Sequence, residues 1–363
     1  MKIGLATNDW SRSMRNADGS ACLGGSGYIR LGQYVASLRK LGHTVEIGIL
    51  AFNRSSQRLG VSSFNGSVNF DFDVIILQRY MHKLAVDDVI KSVKNGQIIL
   101  NDVDDWYWGL SPKNAAYTLT DPTKNPNENI THYKNMISSS SGIIASTPFL
   151  LERLSRWNNN VAMHQNYVST SLFNKVTQHD TPKIKIGWMG STSHRSGDLS
   201  ILKGYTRKID QFASWHHTGH IDAPHVPKFW DEIGVGAGNV TRTPFLPPTK
   251  LMDGIVFDVG IVPLSDLPFN TAKSWIKGLE YAAAGVPFVA SASDEYVRLN
   301  SEYGIGLIAK KPKDFIKHLS DLKDFSYRKS LADSCFNKVK ELDVSIGASN
   351  LVSVIEDLCN AAR

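Results

Sequence analysis

A chain of 363 residues, 42% apolar and 20% charged, exceeds one ordinary compact domain and has room for two cores of ~150–180 residues each. No apolar run approaches the ~20 residues that span a bilayer, and Cys22, Cys335 and Cys359, odd in number and with no Cys-x-x-Cys pair, suggest neither a disulfide framework nor a zinc cluster. The net charge of +6 favours anionic partners, a description that nucleotide-sugars, nucleic acid and anionic membranes all meet.

The amino terminus enters directly on an apolar strand, Ile3-Gly4-Leu5-Ala6, without the basic region and long apolar core of a secretory signal, so a soluble, cytoplasmic protein is expected. Short β-type runs then alternate with helical patterns: Lys2–Thr7, Val45–Leu50, Val74–Gln78, Ile98–Leu100 and Ile143–Ser146, followed by Ile184–Met189, Ile255–Val262 and Pro287–Ser291. Such unalternated runs are expected of parallel strands covered by helices on both faces. The fold class that follows is α/β, with two parallel sheets. Between Asn166 and Lys183 the periodicity lapses into a polar stretch of the kind that joins domains. The organisation expected is a first domain at 1–168, a linker at 169–182, a second domain at 183–345 and a terminal segment at 346–363. Leu351, Ile355 and Leu358 make the segment from Ser349 onward an amphipathic helix.

Four motifs carry candidate chemistry. The first, Gly24-Gly25-Ser26-Gly27, is a glycine-rich turn opening a helix, where backbone N–H groups meet an anion or sugar hydroxyls; the bland alternative is a tight turn. Arg30 stands where the dinucleotide fingerprint would have its third glycine, so that fingerprint is excluded. The second is Asn101-Asp102-Val103-Asp104-Asp105-Trp106 at the carboxyl end of a strand. These carboxylates suit acceptor hydroxyls, a divalent metal, or helix capping and solvated surface. The third, Gly190 to Arg195 after an apolar strand, offers backbone N–H groups with Ser191 and Arg195 to a diphosphate. His194 there suits a structural or a catalytic role equally.

The fourth and most specific is the run from Pro263 to Pro287. Asn270 reads as an N-cap, Lys273, Lys277 and Glu280 fall on one helical face, and Gly285-Val286-Pro287 ends the helix. Lysine in a first turn opposes the helix dipole by ~0.3–1 kcal/mol, a cost that a bound diphosphate offsets; the alternative is a solvated Lys/Glu face. The histidines His216, His217, His220 and His225 lack metal-ligand spacing, since Gly219 and Pro224 interrupt any helix through them. The clusters Trp106-Tyr107-Trp108 and Phe229-Trp230 suit sugar stacking or core packing.

Taken together, Gly24–Gly27, Asp102–Trp106, Ser146-Thr147-Pro148, Gly190–His194 and above all Asn270–Pro287 resemble the two-domain GT-B glycosyltransferases. The similarity is to the retaining, family-four group related to glycogen synthase, with its divergent bacterial and bacteriophage members. It implies two Rossmann-like domains facing across a cleft, with the terminal helix crossing back to the first. It also implies a nucleotide-sugar donor, no metal and no cofactor, with UDP-glucose the default donor.

The roles expected from the motifs and the resemblance together are these. Glu280 matches the family's second glutamate, on the nucleotide ribose. Ala272 stands in place of the first, which leaves the backbone around Phe269, Asn270 and Thr271 to hold the sugar. Gly25, Gly190, Ser191, Arg195, Lys273 and Lys277 complete the donor site, and Gly27, Arg30, Asp102 and Trp106 the acceptor site. Asp104, Asp105, His194 and Lys273 are the catalytic candidates. The acceptor stays open between a modified phage DNA base, a protein, a lipid and a polysaccharide. Rival readings are a nucleotide-sugar epimerase of the same fold and a non-catalytic nucleic-acid or glycan binder.

Overall fold

Every residue of β7 (Val74–Gln78), β8 (Ile99–Val103) and β14 (Val259–Val262) is buried, as strands covered on both faces require. The computed structural model describes all residues except 16–20, 115, 122, 124, 195 and 196. Its first sheet also contains β1 (Lys2–Thr7), β4 (Thr44–Asn53), β5 (Arg58–Ser63), β6 (Val68–Asn69), β9 (Gly142–Ala145) and β10 (Val161–Met163), in the order β10-β9-β8-β7-β1-β4-β5-β6. Pairing is parallel except at β4–β5 and β5–β6. The second sheet is parallel throughout: β13 (Val240–Pro244), β12 (Ala213–His220), β11 (Ile184–Met189), β14, β15 (Phe288–Ser291) and β16 (Leu307–Ala309). A hairpin of β2 (Trp10–Arg15) and β3 (Ala21–Leu23) stands apart from both.

The two sheets form two facing lobes, and the chain passes between them twice. At both passages the backbones bond each other: Val168 N donates to Leu342 O and Val344 N to Val168 O, each at 3.0 Å. The polar stretch after the first passage lies against the second lobe, where Val176 N donates to Ala284 O at 2.8 Å and the Arg328 Nε donates to Gln178 Oε1 at 3.0 Å.

The last helix begins at Val344, five residues before the apolar periodicity becomes visible, because Asp343 caps it by accepting from Ser345 N at 2.8 Å. It runs to Ala362 and packs against Val35–Lys40, β9 and β10 of the first lobe. Its Leu351, Ile355 and Leu358 share one core with Ile3, Leu38 and Ile144. No helix among the described residues is long and apolar enough to cross a membrane.

Candidate functional site

Ligands of open α/β sheets gather at the carboxyl ends of the strands, and here those ends face each other across a cleft of about 220 Å³. Gly25, Ser26, Asp104 and Asp105 line it from the first lobe, and Trp188, Val262–Leu264, Lys273, Ser274, Lys277 and Glu280 from the second.

The first wall is built around Asp9 and Arg79. Asp9 accepts from Gly24 N through its carbonyl at 2.8 Å and from Gly27 N through Oδ2 at 3.0 Å. A Cβ on Gly24 would meet Asp9 Oδ1 at 1.8 Å, and one on Gly27 would meet Asp9 O at 2.5 Å, so this contact is what demands the glycines. Gly27 is thereby turned away from ligand binding, a correction to its expected acceptor role.

Arg79 follows β7 with φ +62°, a left-handed conformation that costs a non-glycine residue about 1–2 kcal/mol. That turn carries its guanidinium to the centre of the wall. Nη2 lies 2.6 Å from Ser26 Oγ, 3.2 Å from Asp104 Oδ2 and 3.0 Å from Asp105 Oδ2, and Nη1 lies 3.5 Å from Asp9 Oδ2. Burial pushes the Asp104 carboxyl up, but Arg79, Ser26, Arg30 and Lys273 outweigh it and hold the group below the ordinary carboxylate range.

The second wall rests on the helix Ile276–Ala283. The single helix expected from Asn270 is in fact two, Pro268–Thr271 and Ile276–Ala283. The break follows from Trp275, which is fully buried, donates Nε1 to Asn166 O at 2.9 Å and lies 3.8 Å beneath the Arg298 guanidinium. Lys277 donates to Met189 O and stands 5.2 Å from the Trp188 ring. Glu280 is half-buried, and burial lifts its carboxyl to about 7 against the pull of Lys277. Lys273 leaves this wall: its Nζ reaches Asp105 Oδ1 across the cleft at 2.6 Å.

Several sequence expectations are corrected here. Arg30 and Asp102 are 1% and 2% exposed and bind each other at 2.7–3.2 Å. With Arg30 Nη1 also on His164 O and Asn166 Oδ1, the pair is buried in the first lobe and does not line the cleft. Asn270 is no N-cap; it is buried within the short helix, with Nδ2 donating to Asp198 Oδ1 at 2.6 Å and Ser265 O at 3.0 Å. The amides of Asn270 and Thr271 donate to Leu267 O. The Phe269 amide sits against Gly109, where a Cβ would come within 2.7 Å, and none of these three residues lines the cleft. Trp106 packs on Trp108, Trp157 and Phe149 at 4.8, 5.5 and 5.9 Å and does not line the cleft.

Gly190 and Ser191 are not among the residues lining the cleft, although a Cβ on Gly190 would come within 3.2 Å of the Trp188 ring and 3.3 Å of Lys277 Nζ. Gly190, at φ +139°, has its carbonyl 2.9 Å from His217 Nε2, and Ser191 Oγ lies 2.7 Å from Ser193 Oγ. The backbone of Thr192–His194 forms a short helical turn; the His194 side chain and the whole of Arg195 lie outside the described residues. His216 hydrogen-bonds Thr241 and Thr243 within the second sheet. Among the described residues no group of three His, Cys, Asp or Glu side chains is disposed to hold a metal ion.

Sequence reasoning missed Asp9, Arg79, Asn166, Trp188 and Ser274. The one available signal was Arg79 itself, a cation directly after the buried strand Val74–Gln78, at the same sheet end as the acidic cluster.

No family model matches the sequence, and no curated protein matches it. Solved structures do match. Sucrose-phosphate synthase from Thermosynechococcus elongatus is similar at 13% identity with a TM-score of 0.66, over 99% of each chain. The Anabaena protein HepE, solved in complex with UDP-glucose, is similar at 12% identity and a TM-score of 0.64, over 98% of this chain and 100% of that one. A glycosyltransferase from Rickettsia africae ESF-5 is similar at 12% identity and a TM-score of 0.63, over 98% of each chain. What is shared at such identities is the fold, the GT-B arrangement of two facing lobes.

Proposed function

We propose that this chain is a glycosyltransferase that takes a nucleotide-sugar into the cleft and transfers its hexose to a hydroxyl acceptor bound against the first lobe. The observation that carries the reading is Glu280. It is a half-buried carboxylate on the cleft wall, with Lys277 one turn behind it and its acidity weakened to about 7. A ribose diol completes such a group, because two hydroxyl donors favour the ionised form that burial opposes. Lys273 and Lys277 then lie where the diphosphate follows, and they stabilise the charge that develops on the leaving group. The complex of HepE with UDP-glucose supports a UDP-sugar as donor.

Asp104 and Asp105 face this site from the other lobe and orient the acceptor hydroxyl. The family resemblance favours retention of anomeric configuration without a metal, and cation-based charge stabilisation at the diphosphate is consistent with both. The organisation proposed is an acceptor-binding lobe at 1–168, a donor-binding lobe at 183–345 and a terminal helix that ties them. The positive net charge tilts the acceptor towards a polyanion, and DNA is one candidate.

Thermal unfolding against a panel of UDP-, GDP-, ADP- and dTDP-sugars tests the donor assignment. A donor at 100 times its dissociation constant stabilises the chain by ~2.7 kcal/mol. A flat response across the panel refutes the reading. Chelator titration of the active reaction tests metal independence, and the anomeric coupling constant of the product tests retention.

A further inference from the structure

Asp105 divides its carboxylate between the lobes. Oδ2 accepts from Arg79 of its own lobe at 3.0 Å, and Oδ1 accepts from Lys273 of the facing lobe at 2.6 Å. The partners are mostly shielded, with Lys273, Asp105 and Arg79 side chains 19%, 11% and 25% exposed, so solvent screens this chain of charges weakly. Lys273 is held at that point by its surroundings. Its ammonium lies 4.1 Å from the Phe269 ring centre, and the next residue, Ser274, accepts from Asn166 Nδ2 at 2.6 Å.

Given the nucleotide-sugar reading, on which this inference rests, a diphosphate entering the cleft carries more negative charge than one carboxylate and competes for the same ammonium. Lysine acts as a mobile point charge on a flexible stem, unlike the planar fork of arginine. Lys273 can therefore move to a new anion while Arg79 stays in place. We infer that donor binding draws Lys273 from Asp105 Oδ1 to the diphosphate, and that the oxygen so uncovered is the one that receives the acceptor hydroxyl. Arg79 keeps Oδ2, together with Asp104 and Ser26, so the carboxylate does not swing away when Lys273 leaves. Before the donor arrives, the same contact closes the acceptor point and links the two walls. Asp105 thus weakens donor binding in exchange for delaying acceptor binding.

Calorimetric titration of UDP, GDP, ADP and dTDP into the full chain and into Asp105→Asn tests this. The diphosphate that binds the wild type is expected to bind Asp105→Asn roughly tenfold more tightly, because Lys273 loses the charged carboxylate oxygen it is hydrogen-bonded to. The gain should vanish in Asp105→Asn/Lys273→Ala. Equal or weaker binding by Asp105→Asn overturns the exchange and leaves the nucleotide site standing. So does a gain that survives without Lys273, since it then reflects the field of one lost carboxylate. Binding of none of the four by the wild type overturns the nucleotide reading and the exchange with it. Asp105→Ser replaces the asparagine variant if thermal unfolding shows that the latter does not fold.

Discussion

The two walls of the cleft treat charge in opposite ways. On the first, Arg79 is surrounded by Asp9, Asp104, Asp105 and Ser26, and every carboxylate there has a cation or a backbone donor. On the second, no hydrogen-bond donor among the described residues reaches the Glu280 carboxylate, which has only the field of Lys277 to oppose its burial. A wall whose charges satisfy one another is preorganised and holds its shape without a ligand. A wall that leaves a carboxylate incomplete has kept part of its binding energy for the molecule that completes it.

The largest effect expected from disturbing this contrast is structural. Asp102→Ala leaves Arg30 buried and without its carboxylate, which should cost about 3–5 kcal/mol in denaturant unfolding, while residual folded protein keeps its nucleotide affinity. A loss of nucleotide affinity alongside would show that the Arg30–Asp102 pair also shapes the donor wall.

Next in size, Lys273→Ala should lower transfer by ~10²–10³-fold at nearly unchanged melting temperature. Wild-type turnover in that variant removes the phosphate role.

Glu280→Gln should weaken nucleotide binding by roughly tenfold. Because burial holds the wild-type carboxyl near 7, above its ordinary range, the group is largely protonated at pH 6 and ionised above pH 8. Binding to the ionised form should therefore release a proton between pH 6 and 7 and tighten as pH rises. Calorimetry in buffers of different ionisation heat reads that proton in the wild type, and the glutamine variant should show none. The same sign governs folding. A raised carboxyl destabilises the folded state once ionised, so Glu280 should erode stability as pH climbs from the unfolded value near 4.5 to about 7.

The smallest effect separates backbone from side chain at Arg79. Both Arg79→Ala and Arg79→Gly release the carboxylates of the first wall, but glycine accepts φ +62° and alanine does not. The glycine variant should be the more stable by about 1 kcal/mol. Equal stabilities would show that the conformation at this position carries no strain.

What the sequence made legible follows the range over which each signal acts. β1, β7 and β11 can be read to the residue, because each is a short, mostly apolar run and burial on both faces leaves little regular polar alternation. β12 is opaque: its His216, His217 and Thr218 are polar, yet buried and paired to Thr243, Gly190 and Gly254, partners that linear order does not bring together. Glu280 and Lys277 are legible because one helix fixes their spacing. The clustering around Asp105 is not, since Arg79 and Lys273 stand 26 and 168 positions away. The helix expected through Lys273 fails for the same reason. Trp275 is drawn to Asn166, 109 positions earlier, and no local propensity reports that pull.

The paired passages between the lobes have a mechanical consequence. Because Val168 is laced to Leu342 and Val344, the two connecting strings cannot slide or swing separately. They form a narrow ribbon that resists shear and yields to bending about one line. A joint laced in this way favours book-like rotation over shear, and such a rotation would part the Lys273 and Asp105 margins of the cleft along a single arc.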